Sequence, residues 1–398
     1  MKTAGVIAEY NPFHLGHEYL LRKIREDSGA DFIVVVMSGD FVQRGAPALL
    51  DKYRRTEMAL RGGADLVLEL PCAAAIGSAG DFASGAVTLM DRLGVVDELW
   101  FGSECGSIRP LSDAAGVLAE EPPVYREVLR SALARGSTYP EAQEAGLRAA
   151  VPGRGGTLAE ILKKPNNLLA VAYLTAMARR NSRMIPRTVR RSGGDHHSES
   201  RKAYSSENIR ENIGRGYFSS AARTLPSYSA KILLEAADRN ELIYPDDFSD
   251  MILCQLQKET AKSLRKYPGI GEDLANRIIR MRGSFRSVLS FSELLKTRNY
   301  TMTRISRALF SVLLGVEKGD AAREKESVRV LGLKKRAETL LGKISRSGTV
   351  RPCGSAASLP ADSFRTDVSA ANLYEAVRAK KSGTAFHHEF TQKVIKLL

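Results

Sequence analysis

Residues 5–17 have the sequence GVIAEYNPFHLGH, in which an apolar run leads through a turn-rich segment to two histidines placed around a glycine. The apolar run, residues 5–8, predicts a buried strand. Asn11, Pro12 and the residues beside them predict a loop, and residues 17–24 have the spacing of an amphipathic helix. The order of strand, loop and helix decides the fold, because it places polar residues where a strand ends and a helix begins.

The same unit recurs along the next ninety residues. Apolar runs predict strands at 32–37, 65–70 and 98–102, and helical periodicity separates them at 51–61 and 82–93. Strands that are apolar throughout and alternate with helices are typical of a parallel sheet covered on both faces. The sequence therefore predicts an α/β, Rossmann-like domain that binds ligands beyond the carboxyl ends of its strands.

The second half of the chain has a different pattern. From about residue 220 the periodicity is helical, and residues 255–310 contain twelve Lys or Arg but four acidic residues. We therefore predict two domains, an α/β domain over residues 1–218 and a mainly α-helical, basic domain with a C-terminal tail over residues 219–398.

The charge of the whole chain favours a polyanionic partner. Its formal net charge is +14, and Lys and Arg that neutralise phosphates release counterions, so nucleic acid is favoured over a membrane. The alternative is that the excess charge only solvates the surface. No apolar run reaches about 18 residues and no signal-peptide pattern is present, so we expect a cytoplasmic protein. The four cysteines lack CxxC spacing, and no structural metal site is predicted.

The two histidines of the opening stretch, His14 and His17, are suited to phosphate chemistry. A helix amino terminus offers free N–H groups and partial positive charge, and Gly16 allows close approach of the backbone. Imidazoles three residues apart share one helical face and can stabilise charge that develops on an α-phosphate as pyrophosphate leaves. A zinc-ligand pair and a structural pair are the alternatives.

This opening stretch resembles the HxGH signature of the nucleotidyltransferase superfamily. The superfamily carries a later Ser-rich motif at another helix start, and residues 204–210, YSSENIR, are similar to it. Ser205 or Ser206 is expected to cap that helix, with Ser206 in the catalytic set and Arg210 following on the same side. The alternative is that the serines form only an N-cap.

Longer segments give a more specific resemblance, to the tRNA(Met) cytidine acetate ligase family. The similarity is dense over the first 215 residues and continues more loosely through 297–316 and 328–333. The segments that carry it are AGVIAEYNPFHLGHEYLL (4–21), MSGDFVQRGAPALLDKYRRTEMAL (37–60), GADLVLELP (63–71), LWFGSE (99–104) and KKPNNLLAVAYL (163–174).

The resemblance implies an activity. Members of the family activate acetate with ATP as acetyl-adenylate and transfer the acetyl group to N4 of the wobble cytidine, position 34, of elongator tRNA(Met). It thus implies an ATP-binding nucleotidyltransferase domain, a tRNA-binding helical domain, and ATP with Mg²⁺, acetate and elongator tRNA(Met) as ligands. The oligomeric state stays open between monomer and homodimer.

The resemblance also implies a set of site residues. His14, His17, Asp40 and Ser206 form the expected catalytic set, with Asp40 positioning acetate or tRNA. The alternative interpretation of Asp40, given equal weight, is a turn residue that caps the next segment. The expected nucleotide contacts are Ile7, Ala8, Glu9, Tyr10, Asn11, Pro12, Phe13, His14, Leu15, Gly16, His17, Glu18, Tyr19, Leu20, Gly102, Asn166, Asn167, Arg190, Arg191 and Arg210.

Several alternatives remain open in the sequence. Asn166 competes with Asn167, and Arg190 with Arg191, for the nucleotide. The family pattern has a tyrosine near His196 or His197, where this chain has none. Residues 267–271 resemble the phosphate-gripping turn of a helix-hairpin-helix, or form an ordinary turn. A cofactor adenylyltransferase and a noncatalytic tRNA-binding protein are the rival functions.

Overall fold

The computed structural model describes residues 1–191 and 205–398. Its strands are β1 Thr3–Ala8, β2 Phe32–Ser38, β3 Phe41–Val42, β4 Ala46–Pro47, β5 Leu66–Leu70, β6 Glu98–Ser103, β7 Ile185–Arg190, β8 Ser327–Lys334, β9 Arg351–Cys353 and β10 Ile395–Leu397.

The α-helices of the same ranges fall into two groups along the chain. Those before residue 191 are α1 Leu15–Ser28, α2 Lys52–Arg61, α3 Cys72–Ala75, α4 Ala79–Leu93, α5 Ile108–Glu120, α6 Pro123–Ala134, α7 Tyr139–Ala150, α8 Gly155–Leu162 and α9 Pro165–Arg180. Those after residue 205 are α10 Ser206–Gly214, α11 Phe218–Ala222, α12 Ser227–Asp238, α13 Ser249–Lys258, α14 Ala261–Leu264, α15 Glu272–Met281, α16 Val288–Leu295, α17 Met302–Leu314, α18 Glu338–Ser347 and α19 Ala361–Ser382.

The central sheet has the strand order β10-β8-β5-β2-β1-β6-β7, and β9 pairs with β8. Strands β5, β2, β1, β6 and β7 are mutually parallel, with Val6 opposite Val35 and Leu99 opposite Pro186. The carboxyl ends of these five strands therefore meet at one edge. The mostly parallel sheet confirms the α/β prediction.

Helices cover both faces of the sheet because its central strands are apolar on both sides. Along β2, Val34 and Val36 enter the core under α4, α5, α9 and α18. Ile33, Val35 and Met37 enter the opposite core, under α1, α2, α10 and α12. A third core lies among α13, α15, α16, α17 and α19 and receives Phe41 from β3.

The wholly helical pattern predicted from residue 220 is wrong in one respect. The segment returns to the sheet, where β8 runs antiparallel to β5 and β10 runs parallel to β8. Only burial against the first half makes 327–334 a central strand, because α2 and α4 cover its two faces. The domain boundary at residue 218 itself stays a prediction. No helix within the described ranges combines the length and apolar character needed to cross a membrane.

The guanidinium of Arg55, on α2, is fully buried and donates only to backbone carbonyls. Its acceptors are Leu50 O at 2.9 Å, Glu9 O at 2.7 Å, Ser38 O at 3.1 Å and Gly39 O. Glu9 follows β1, and Ser38 with Gly39 ends β2. Arg55 thus joins two strand ends to the start of α2, at the edge where the site lies.

We expect Arg55→Gln to lower the free energy of unfolding by about 3 to 5 kcal/mol, because buried carbonyls lose their donors. Urea denaturation measures the change. Arg61→Gln, on the same helix but exposed and paired only with Glu57, is the matched control and should stay within about 0.5 kcal/mol of the wild type. Equal denaturation midpoints for the two variants would contradict the role given to Arg55.

Candidate active site

The two signature histidines meet at the amino terminus of α1. His14 is the N-cap of the helix, with φ −127° and ψ 172°. Its Nδ1 accepts from Gly16 N at 3.1 Å, and the Nδ1 of His17 accepts from His14 N at 3.2 Å. The rings stack with 3.7 Å between centroids and 23° between planes. The expectation that they share one helical face is corrected, because His14 lies before the helix and reaches His17 through this reciprocal capping.

Burial keeps both imidazoles neutral. His14 is 1% exposed, and its Nε2 has no hydrogen-bond partner among the described residues. Burial, followed by the nearby charge of Arg191, lowers the pKa of His14 to about 3. Burial, His14 and Arg191 lower the pKa of His17 well below its usual value. Two uncharged rings therefore lie beside one guanidinium.

The backbone N–H groups at the start of α1 are already occupied. Leu15 N donates to Thr224 O at 3.1 Å, and Gly16 N donates to His14 Nδ1. The expectation that free amides of this helix turn face a phosphate is therefore corrected for these two residues. Side-chain donors are left to bind an anion here.

The structure separates the two candidate arginines at the end of β7. The side chain of Arg191 crosses Gly102, where an added Cβ would lie 2.9 Å from Arg191 Cγ. Arg190 packs over Gly106 instead, where an added Cβ would lie 2.6 Å from Arg190 Cβ. Since Arg191 also acts on the pKa of both histidines, it is the arginine that the fold brings to them. Gly102 is the residue that leaves room for it.

Asn166 and Asn167 have different partners. Asn166 Oδ1 accepts a hydrogen bond from Arg191, which connects it with the histidine side of the site. Asn167 is buried, and its Oδ1 accepts from Glu104 N at 2.9 Å and Cys105 N at 3.1 Å, so it fixes the turn after β6. Asn166 is therefore the one of the two that contacts Arg191, and whether either binds the nucleotide stays a prediction.

Glu104 is a functional candidate that sequence reasoning missed. Its carboxylate accepts from Asn166 N at 3.0 Å, Asn166 Nδ2 at 2.7 Å and Asn167 N at 2.7 Å. It thereby caps α9 and orients the Asn166 amide toward Arg191. The sequence contained a signal for it, because Glu104 directly follows β6 at the carboxyl edge, much as Asp40 comes two residues after β2.

Arg210 of the Ser-rich motif contacts the loop that precedes the two signature histidines. Arg210 Nη1 donates to Asn11 O at 2.7 Å, and Asn11 Oδ1 accepts from Leu49 N at 2.8 Å. Ser205 is the N-cap of α10, where its hydroxyl accepts from Asn208 N at 3.1 Å, and Ser206 is the first helical residue. The N-cap interpretation therefore holds for Ser205, while a catalytic part for Ser206 stays a prediction.

The other residues of the 7–20 segment divide between the core and the surface. Tyr10 and Phe13 are buried in the core beneath α1 and α2. Ile7, Ala8 and Leu20 pack against the sheet cores, and Pro12 is buried. Glu18 accepts from Tyr228 Oη at 2.8 Å, and Tyr19 is exposed. Their contribution to nucleotide binding stays a prediction, and for the buried ones it is confined to the backbone.

Asp40 lies in a buried ionic cluster. Its Oδ1 accepts from Lys52 N at 2.8 Å, at the start of α2, which is the contact of the capping interpretation. Lys52 Nζ lies 3.9 Å from Asp40 and 2.9 Å from both Glu69 and Glu389. Burial raises the pKa of Asp40 to about 7 against the attraction of Lys52 and Arg55. A role in positioning substrate stays a prediction.

The turn between α14 and α15 contains residues 267–271, which resemble the turn of a helix-hairpin-helix. Tyr267 and Ile270 are buried, and Gly269 takes a φ of 74°, as a turn between packed helices requires. Whether it grips phosphate stays a prediction. Across residues 1–191 and 205–398, no group of three or more His, Cys, Asp or Glu is arranged to hold a metal ion. His196 and His197 lie outside the described residues.

Comparison with known proteins identifies the family. The model of the HIGH Nucleotidyl Transferase family matches residues 1–389. The tRNA(Met) cytidine acetate ligase of Acetivibrio thermocellus is 37% identical over 88% of this chain and 87% of its own length. That of Halothermothrix orenii is 36% identical over 87% of this chain and 85% of its own.

Solved structures agree with the sequences. The crystal structure of Thermotoga maritima TmcAL bound with alpha-thio ATP superposes with a TM-score of 0.91, at 29% identity and with 100% of each chain covered. The apo form gives a TM-score of 0.92 over the same coverage. The histidine pair, its arginine and the sheet that carries them are thus set in a chain that belongs to the tRNA(Met) cytidine acetate ligase family of HIGH nucleotidyl transferases.

Proposed function

We propose that this protein activates acetate with ATP as acetyl-adenylate and transfers the acetyl group to N4 of the wobble cytidine of elongator tRNA(Met). The observation that carries the proposal is the stacked pair His14 and His17 beside Arg191, in which His14 is buried and its Nε2 has no partner among the described residues. Family membership supports it, because the relatives bear the name of this ligase and the Thermotoga structure contains an ATP analogue.

The hydrogen bonds of the two rings define what they offer a nucleotide. Each Nδ1 accepts from a backbone N–H, so in a neutral ring the proton lies on Nε2. Both rings therefore act as uncharged Nε2–H donors. Arg191 supplies the positive charge that two neutral rings lack, and its planar fork suits phosphate oxygens.

The first step forms a phosphorus–oxygen bond. An acetate oxygen attacks the α-phosphorus of ATP, and the bond to the β-phosphate oxygen breaks, so acetyl-adenylate forms and pyrophosphate leaves. Negative charge grows on the α-phosphate oxygens in the transition state. The His14 and His17 donors and Arg191 stabilise that charge in a site whose donors are already organised.

The second step forms the amide. The N4 amine of cytidine attacks the acetyl carbonyl carbon, the bond to the AMP oxygen breaks, and the amine loses a proton. A polyanionic substrate also fits the basic segment 255–310. We propose that ATP enters as its magnesium complex, since Mg²⁺ in nucleotide sites is held largely by phosphates and water, and that the reaction takes place in the cytoplasm.

The remaining site residues take supporting roles in this proposal. Asn166, held by Glu104, orients Arg191. Arg210 fixes the loop that carries Asn11. Ser206 lies at the amino end of α10, where its hydroxyl is suited to a phosphate oxygen. Asp40, which accepts from the first backbone N–H of α2, is assigned to positioning acetate or tRNA.

The direct test is mass spectrometry of nucleosides from elongator tRNA(Met) incubated with the protein, ATP and isotope-labelled acetate. We expect labelled N4-acetylcytidine at the wobble position. Initiator tRNA(Met) in place of the elongator serves as the control and should stay unlabelled. Unmodified elongator tRNA in the presence of folded, ATP-binding protein would overturn the proposal in favour of cofactor adenylylation or noncatalytic tRNA binding.

His14→Asn separates catalysis from helix capping. Asparagine is a good N-cap acceptor but lacks the Nε2–H donor. We expect acetate-dependent exchange of pyrophosphate into ATP to fall about 100- to 1,000-fold, with tRNA affinity within about twofold of the wild type. His14→Ala, which removes both functions, should lose thermal stability as well. Loss of tRNA affinity in His14→Asn with normal exchange would reverse the assignment.

The lowered pKa of His14 makes a second prediction, on stability against pH. Between pH 3 and 6.5 the unfolded chain binds a proton at this ring that the folded chain does not, so stability rises with pH through this window and levels off above it. Acidification from pH 7 to 5 should cost the wild type about 2 kcal/mol more than it costs His14→Asn. Urea denaturation at both pH values measures this, and an equal pH response in the two proteins would show that His14 is not held neutral.

A further inference from the structure

The hairpin of β3 and β4, residues 41–47, lies between the nucleotide site and the helical layer. On one side, Gln43 N donates to Glu9 Oε1 at 2.7 Å, directly after β1. On the other side, Phe41 packs into the core of the helical layer. The tip of the hairpin is fixed to α10, because Arg44 forms an ion pair with Glu207 through two hydrogen bonds of 2.6 and 3.2 Å. This hairpin is therefore the rim of the candidate active site.

Helix α17 docks on the tip of this hairpin. Ser306 Oγ donates to Gly45 O. An added Cβ on Gly45, whose φ is 70°, would lie 2.3 Å from Arg307 N, so only glycine admits the helix at this distance. Gly45 lies two positions after Gln43 in the sequence, and two extended steps of the chain span at most about 7 Å. The backbone of Arg307 is thus fixed within about 10 Å of the Gln43–Glu9 contact.

The side chain of Arg307 lacks an anionic partner. It is half-buried, and within the described ranges no carboxylate forms an ion pair with its guanidinium. Burial lowers its pKa, with Arg304 one turn earlier acting in the same direction and Asp81 against it. Arg304 reaches only Gly269 O, at 3.3 and 3.4 Å, and lies over the Tyr300 ring. Asp81 acts on Arg307 through its charge but forms no ion pair with it, and a partly desolvated arginine without a paired carboxylate is costly unless a ligand supplies the anion.

We propose that Arg307, with Arg304 beside it, binds a backbone phosphodiester of the RNA substrate at the rim of the active site. The hairpin and α17 then form the surface along which the RNA strand runs toward the nucleotide pocket. The proposal rests on the proposed function in taking RNA as the substrate. Arg307 is a positioning residue here, since it touches the RNA backbone and not the reacting atoms.

A phosphodiester fits this position better than a phosphate of ATP. The hairpin stands between the two sites, with Gln43 turned to the signature loop and Gly45 turned to Arg307. Arg307 also belongs to the basic segment 255–310, in which Lys and Arg outnumber acids by twelve to four. An extended polyanion can follow such a surface, whereas a single nucleotide cannot.

The experiment compares Arg307→Gln and Arg307→Lys with a matched control, Arg61→Gln. Arg61 is exposed at the end of α2 that leads into β5, and so lies at the opposite edge of the sheet. Binding of elongator tRNA(Met) to each full-length protein is measured at several salt concentrations. For Arg307→Gln we expect the Kd to rise about tenfold, with the slope of log Kd against log salt falling by about 0.7 to 1.

Two further results are expected. Acetate-dependent exchange of pyrophosphate into ATP should stay unchanged in Arg307→Gln, and Arg307→Lys should keep the wild-type salt slope because it keeps the charge. An unchanged Kd and slope relative to Arg61→Gln would overturn the inference, and so would a raised KM for ATP with normal tRNA binding. Failure of the proposed function is distinguishable, because the wild type would then bind tRNA with this dependence on Arg307 but form no acetylcytidine.

Discussion

A single buried guanidinium, that of Arg55, holds the carboxyl ends of the first two strands in register with the helix that follows them. It donates to carbonyls of Glu9, Ser38 and Gly39 as well as to Leu50 in the turn before its own helix. Buried carbonyls need donors, and here one side chain supplies four of them. The signature loop, the Asp40 turn and the hairpin of residues 41–47 all begin at these carbonyls, so the geometry of the site depends on this interaction.

The site divides its chemistry between neutral and charged donors. His14 and His17 are kept neutral by burial, and backbone N–H groups fix which nitrogen of each ring carries the proton. Arg191 carries the charge and is held by Asn166 across Gly102. Neutral donors can be buried at lower cost than cations, which is why the His14 ring can be buried without a counter-ion. The positive charge is carried by Arg191, at the border of the site.

The second half of the chain completes the first instead of standing apart from it. Strand β8 and strand β10 extend the sheet, Glu389 neutralises Lys52 beneath the Asp40 turn, and Arg307 packs against Gly45 at the rim. Through Glu389 and Arg307, two separate segments of the second half thus reach the edge of the sheet that carries the Asp40 turn and the hairpin. This arrangement would hold the proposed nucleotide site and the proposed RNA-binding surface at a fixed distance from each other.

The sequence by itself determined the alternation of strands and helices, the position of His14 and His17 at a strand-to-helix turn, and the basic character of the second half. These follow from periodicity and spacing over a few residues, which local physics controls. It also placed Gly102, Asn166 and Arg191 among the candidates, through the family resemblance. Only the tertiary structure decided that Arg191 faces the histidines, that Thr224 occupies the first amide of α1, and that 327–334 is a central strand. Contacts such as Tyr53 with Glu389, 336 positions apart, depend on which surfaces the whole chain buries together, and no local pattern distinguishes Arg307 from the other arginines around it.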